Sequence, residues 1–273
     1  MTQFRARFAH MSKLSRVLLA LFLTGPAAVN AAERRDADPI CLARKCAKTM
    51  LRCGLDSECR SWLKCVLDCH GDKIRCPSVC GFYYQSAQIN QTSLCIFESD
   101  CVDLGFGQLP NYEHADGPLV TLGELEGTWW FSASHGGTHI FDFDCQRFDF
   151  SGGGADFVRV AYSVPLTLNG KTRMTGASGV FRQLDSGAIE VIYDNFAGYH
   201  EKWYLADKTE DTMLAHVCIG ADSICYDYGT ILLTKSGLDS LDSRLKDHLE
   251  SVTRAQFGFG WEQFKQARTN CSR

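Results

Sequence analysis

Ten of the fourteen cysteines fall between Cys41 and Cys101, and this crowding constrains the chain more than any other feature. About sixty residues enclose too little apolar surface to fold well on a core alone, so cross-links must hold such a segment. Thiols at this density persist as disulfides only in an oxidising compartment. The positions are Cys41, Cys46, Cys53, Cys59, Cys65, Cys69, Cys76, Cys80, Cys95 and Cys101. Cys65 with Cys69, and Cys76 with Cys80, are spaced i,i+4, which places each pair on one face of a helical turn. Residues 41–54 and 57–70 are expected as short helices, parted by Gly54, Asp56 and Ser57. Zinc is the competing account, since thiolates at short spacing also bind metals. Clean CxxC knuckles are absent and the count is even, so disulfides and no metal are expected, with the pairing left open. His70, beside Cys69, is expected at the surface.

The first 32 residues have the form of a cleavable signal. Arg5, Arg7, Lys13 and Arg16 make a basic start, VLLALFL (17–23) an apolar run, and AVNA (28–31) a small-residue cleavage site. The run is too short to span a bilayer. No later stretch approaches about 18 uninterrupted apolar residues, so the mature chain is expected to be soluble. A net charge of −4, with no Lys/Arg patch outside the signal, argues against a nucleic-acid partner.

After the cysteine-rich head (33–102), a Gly-, Pro- and Asn-bearing stretch (103–120) is expected to be a linker. The body opens with Gly127, Thr128 and Trp129, a G-x-W at a strand start. Short β-type runs then recur at 128–133, 145–150, 156–164, 171–175, 179–184, 188–193, 201–207, 212–218 and 226–234. Asn169 and Gly170 form a strong hairpin signal. Leu238, Leu241, Leu245, Leu249 and Val252 keep the spacing of an amphipathic helix that would pack against the outside of a barrel. The expected fold is mainly β. It is a lipocalin-like up-and-down eight-stranded barrel (121–236) with a C-terminal helix and tail (237–273), preceded by a small disulfide-rich helical domain. Barrels of this size hold one small ligand in their mouth.

Head and barrel together resemble the violaxanthin de-epoxidase family. The residues that carry the resemblance are Cys41 to Cys101, GTWW (127–130), FDFDCQ (141–146), YHEKWY (199–204), and Asp227 through Ser236. The resemblance implies an enzyme of the chloroplast thylakoid lumen, the alternative being a secreted protein. Ascorbate would be the co-substrate and the epoxide rings of violaxanthin, a xanthophyll, the target. It further implies activation by acid, association with the thylakoid membrane surface and its galactolipid, homodimers at acid pH, and a bridge from Cys145 to Cys271. The chemistry needs an acid that protonates the epoxide oxygen, and a carboxyl in an apolar mouth suits that.

The resemblance places the catalytic carboxyl at Glu201, where the family has Asp, with Tyr199 as its partner. Tyr199, Glu201 and Trp203 share the more apolar face of one strand, so Glu201 is expected inside the barrel or at its mouth. Trp203, Asp142 and Asp144 are the substrate-binding candidates, although capping a loop is the plainer role for the two Asp residues. Two tyrosines of the family's site are replaced, by position, with Cys218 and Leu233. Cys218 and Cys225 suggest a local bridge across a hairpin. Tyr162 and Tyr193 are expected as core or cross-strand partners, and Trp129 as packing at the barrel floor. His135, His139, His200 and His216 are expected as scattered surface groups. The Glu-rich tail is missing too, so the closest match is to a violaxanthin de-epoxidase-related protein. A non-catalytic carotenoid binder and an epoxy-carotenoid isomerase are the alternatives.

Overall fold

The computed structural model describes residues 39–69, 75–99, 101, 120–136, 143–184, 187–194, 200–221, 224–237, 241–269 and 271. The signal, nearly all of the linker, His70, His139, Asp142, Tyr199 and Leu238 lie outside them, as do the side chains of His200 and Cys225. The described residues divide into two compact units, one from 1–63 with 86–105, the other from 64–85 with 106–273.

The first unit is helical: α1 (Pro39–Lys45), α2 (Ala47–Leu55), most of α3 (Ser57–Leu67), and α5 (Ala87–Glu98). Ser86 caps α5 by accepting from the Ile89 N–H at 3.2 Å, while Asp56 accepts from the Cys59 N–H at 2.7 Å to start α3. Its disulfides are Cys41–Cys101, Cys46–Cys95 and Cys53–Cys59. Cys46, Cys53 and Cys59 are fully buried, so sulfur takes the place of a core.

The second unit is an antiparallel barrel. Its strands are β1 (Gly127–Gly136), β2 (Arg147–Ser151), β3 (Phe157–Leu168), β4 (Lys171–Gln183), β5 (Ile189–Tyr193), β6 (His200–Lys208), β7 (Thr212–Ala221) and β8 (Ile224–Thr234). Each pairs with the next, and β1 closes the ring on both β8 and β2. A two-residue β9 (Lys265–Gln266) then lies along the upper half of β1, beyond the reach of β2. The expected eight-stranded barrel is therefore present. The two runs 171–175 and 179–184 are one strand, however. Gly176 and Gly179 do not break it. A Cβ at either would collide with a carbonyl of the adjacent strand, Tyr162 O or Ile192 O, so these glycines let the neighbouring backbones approach. Asn169 (φ 51°) and Gly170 (φ 74°) make the β3–β4 turn, as their sequence demands.

Alternation along each strand decides the interior. Trp129, Phe131, Phe148, Phe150, Phe181 and Trp203 fill it, with Leu122 and Leu125 of a short 3-10 turn under the floor. The Trp129 indole N–H donates to Leu125 O at 2.7 Å, and Lys235 Nζ lies 5.2 Å from its ring centroid. The outer face of β1, β7 and β8 is covered by α6 (Ser243–Phe257), where Leu249 packs on Ala133, Leu214 and Leu232. Asp242 caps α6 through the Leu245 N–H at 2.8 Å, and Gly258 ends it at φ 75°.

Candidate functional site

The upper half of the barrel interior holds a few buried polar side chains among apolar ones, where the lower half is aromatic. Glu201 enters it from β6, opposite Val191 of β5 and Ile219 of β7, and is fully buried. The Trp203 indole N–H donates to Glu201 Oε2 at 2.6 Å, so two residues on one strand face form a charge-assisted contact. Tyr193 follows from β5 and bonds to the same carboxyl through its hydroxyl. Burial, and then the Glu201 charge, pushes the Tyr193 hydroxyl well above its ordinary pKa, and the same two causes act on Tyr162 of β3. Both tyrosines remain protonated donors at any physiological pH.

Gln146, just before β2, is also fully buried and lies beside the Tyr162 hydroxyl. Its amide nitrogen and oxygen, and the Tyr162 hydroxyl, make no close hydrogen bond with the described residues. Three such atoms in an apolar barrel are costly unless something polar joins them. Sequence reasoning did not single out Gln146, and it set Tyr162 and Tyr193 aside as packing. The signal available was alternation: 146, 148 and 150 share a face, as do 189, 191 and 193.

Other candidates fall elsewhere. Cys218 lies opposite Lys202 on the outer face, so the inward position of that strand is Val217, and residue 218 does not line the interior. Leu233 does point inward. Cys218 is in a disulfide. His135 stacks on Phe259 with centroids 3.8 Å apart, and His216 lies 5.6 Å from Phe257 with Nδ1 3.2 Å from Thr230 Oγ1. These two histidines sit under the C-terminal segment instead of being scattered over the surface.

The mouth of the barrel has a cover that the sequence did not announce. The Cys65–Cys80 and Cys69–Cys76 disulfides hold α4 (Arg75–Tyr83), which belongs to the barrel unit. The Phe82 ring lies 6.2 Å from Phe143 and 5.9 Å from Tyr162. Thr175 donates to Phe82 O, and Gln85 donates to Gly176 O at 2.9 Å. The sulfurs of Cys69, Cys76 and Cys80 lie within 4.8 Å of one another because these two bridges are adjacent.

Asp144 is at the rim, tied to the C-terminal segment. The Arg268 backbone N–H donates to Oδ1 and its Nε to Oδ2, each at 2.9 Å. Cys145 donates to Arg268 O at 2.7 Å and is bridged to Cys271, as the resemblance implied. The backbone N–H of Arg268 lowers the Asp144 pKa most, and its guanidinium and Lys265 add to this against burial. A depressed carboxyl stabilises the fold above the ordinary carboxylate range and loses that contribution as pH falls through its lowered value. Asp144→Asn should therefore speed proteolysis of the C-terminal segment at neutral pH. The difference from wild type should vanish in strong acid; equal rates at pH 7 would remove the anchoring role.

An eight-stranded antiparallel barrel with a packed aromatic floor, a few buried polar side chains above it and a helix along its outer wall defines a lipocalin-type protein. A family model, the VDE lipocalin domain, matches residues 38–269, and the chain belongs to the violaxanthin de-epoxidase family. Solved structures are similar at low identity. Lobster apocrustacyanin A1 is 11% identical, with a TM-score of 0.43 over 60% of this chain and 94% of its own. The amine binding protein of Rhodnius prolixus, in its tryptamine complex, is 12% identical, with a TM-score of 0.44 over 59% and 86%. An odorant binding protein, OBP1, is 13% identical, with a TM-score of 0.41 over 55% and 94%. No curated protein sequence matches the chain.

Proposed function

We propose that this protein reduces the epoxide rings of violaxanthin, towards antheraxanthin and zeaxanthin, with Glu201 as the acid and ascorbate as reductant. The observation that carries the reading is a fully buried carboxyl inside an apolar barrel, held by Trp203 and Tyr193. In the reaction a ring opens as its oxygen takes up protons and leaves as water, and a carbon–carbon double bond forms. Ascorbate supplies the two electrons and becomes dehydroascorbate. Burial works against the charged form of a carboxyl, so a proton can be held where the epoxide oxygen arrives. The Trp203 N–H fixes Oε2, and the aromatic interior keeps water from the opening ring. Gln146 and the Tyr162 hydroxyl offer hydrogen bonds to a polar group beside Glu201, which fits an epoxide or a hydroxylated reductant. Tyr199 is proposed as the partner of Glu201 and Trp203 as a wall of the pigment site, in a lumenal protein that docks on galactolipid membrane and pairs into dimers in acid.

The apolar side chains of Val217 and Leu233 inside the barrel favour a second reading, a carotenoid binder without turnover. One assay separates the two. Oxidised protein is incubated with violaxanthin, galactolipid and ascorbate at about pH 5 and at neutral pH, which brackets the range where carboxyls and histidines titrate. Antheraxanthin and zeaxanthin formed only in acid are expected. Unchanged pigment that co-elutes with the protein would sink the enzyme, and products formed without ascorbate would indicate an isomerase.

A further inference from the structure

Four cysteines of the barrel unit form a compact array. Cys65 lies in the last turns of α3, with Cys69 four residues on, and Cys76 and Cys80 have the same spacing within α4. Residues so spaced share one side of a helical turn, and here the two sides meet through the nested bridges Cys65–Cys80 and Cys69–Cys76. The nesting brings together sulfurs that are not bonded to each other. Cys69 Sγ lies 3.8 Å from Cys80 Sγ, which belongs to the other bridge. The sulfurs of Cys69, Cys76 and Cys80 all lie within 4.8 Å of one another.

The two bridges are not equally sheltered. Cys69 and Cys76 are both half-buried, whereas Cys65–Cys80 is half-buried at one residue and fully buried at the other. Access governs which bridge a reductant opens, so attack favours Cys69–Cys76. A disulfide is exchanged when a thiolate attacks one of its sulfurs and the other sulfur leaves. A thiolate freed at Cys69 starts in near contact with such a target.

We infer that the two bridges form a disulfide relay, which passes a reduction at Cys69–Cys76 on to the bond that ties α4 to α3. A dithiol opens Cys69–Cys76, is itself oxidised to a disulfide, and leaves two thiols in the protein. Cys69 then gives up its proton and attacks Cys80 Sγ. The Cys69–Cys80 bond forms, the Cys65–Cys80 bond breaks, and Cys65 leaves with the electron pair and takes up a proton. This second step needs no further reductant. The products are one bridge, Cys69–Cys80, and thiols at Cys65 and Cys76. Cys69 lies beyond Leu67, the last residue of α3, so the new bridge joins α4 to the connecting chain and no longer to that helix. Loss of Cys69–Cys76 alone would leave α4 bound to α3 through Cys65. The relay therefore lets one two-electron reduction free the cover of the barrel mouth from α3. What then holds Phe82 in place is its packing on Phe143 and Tyr162 and the bond from Thr175 to its carbonyl.

Limited reduction of the oxidised full chain tests this without pigment or turnover. Dithiothreitol is added in small steps at about pH 8, where thiols begin to ionise, and free thiols are trapped with N-ethylmaleimide. Cleavage before Asp68 separates Cys65 from Cys69, and peptide fragmentation separates Cys76 from Cys80. Among these four, the first partly reduced species should carry label at Cys65 and Cys76 and a peptide bridged Cys69–Cys80. Any other labelled pair, or four thiols freed together with no Cys69–Cys80 species before them, would overturn the relay. Cys76→Ser provides a second measurement that needs no reductant, because it leaves Cys69 as a thiol beside Cys65–Cys80. Label in that variant should shift from Cys69 onto Cys65, and label confined to Cys69 would equally overturn the relay. Should the variant fail to fold, the titration of the wild-type chain decides.

Discussion

Glu201→Gln is expected to slow epoxide reduction by about 10²–10⁴-fold, the usual contribution of a positioned general acid, while pigment binding changes little. The substitution keeps the size of the side chain and leaves an oxygen for the Trp203 N–H, so the contact at 2.6 Å has a neutral counterpart. What it removes is the proton. Glu201 is fully buried at the level of Tyr162 and Tyr193, so bulk solvent does not reach the carboxyl to substitute for it. Glu201→Asp keeps the acid but withdraws it by one methylene, and at a reacting centre an ångström can cost about a hundredfold. The two variants should therefore differ in pH dependence. The aspartate enzyme should still gain activity on acidification, whereas the residual rate of the glutamine enzyme should not. Full turnover by Glu201→Gln in single-turnover pigment assays would place the acid elsewhere.

How much of this was legible in the sequence follows from the range of the forces involved. Strand alternation is local, so the barrel, the Asn169–Gly170 turn and the outer helix were readable. The same rule, started from Met213, puts Val217 inside and Cys218 outside, where positional resemblance alone had put residue 218 in the site; Leu233, given with it, does point inward. Runs 171–175 and 179–184 were expected as two strands where there is one, because a glycine's effect on a strand depends on what lies across from it. Here that is a carbonyl too close for any side chain. The disulfide partners, the cover that α4 makes over the mouth, and the approach of Gln146 and Tyr193 to Tyr162 and Glu201 arise only when distant segments meet. Composition showed that sulfur would hold the head, but spacing could not say that Cys65 and Cys69 reach forward to Cys80 and Cys76.

Replacing both Cys145 and Cys271 with serine is expected to destabilise the barrel unit by about 2–5 kcal/mol. The bridge spans 126 residues and so closes nearly the whole barrel into one loop. Loop-closure entropy grows with length, so on that account this bridge restricts the unfolded chain more than Cys53–Cys59, which spans 6. The native state has its own anchors that limit structural loss: Arg268 on Asp144, β9 on β1, and the aromatic cover of Phe259, Trp261 and Phe264. The serine pair should therefore fold, but unfold at lower urea with a steeper slope, because a less constrained denatured state exposes more surface. Unchanged urea midpoints for the oxidised double variant would mean that these contacts, and not the covalent bond, hold the C-terminal segment to the barrel.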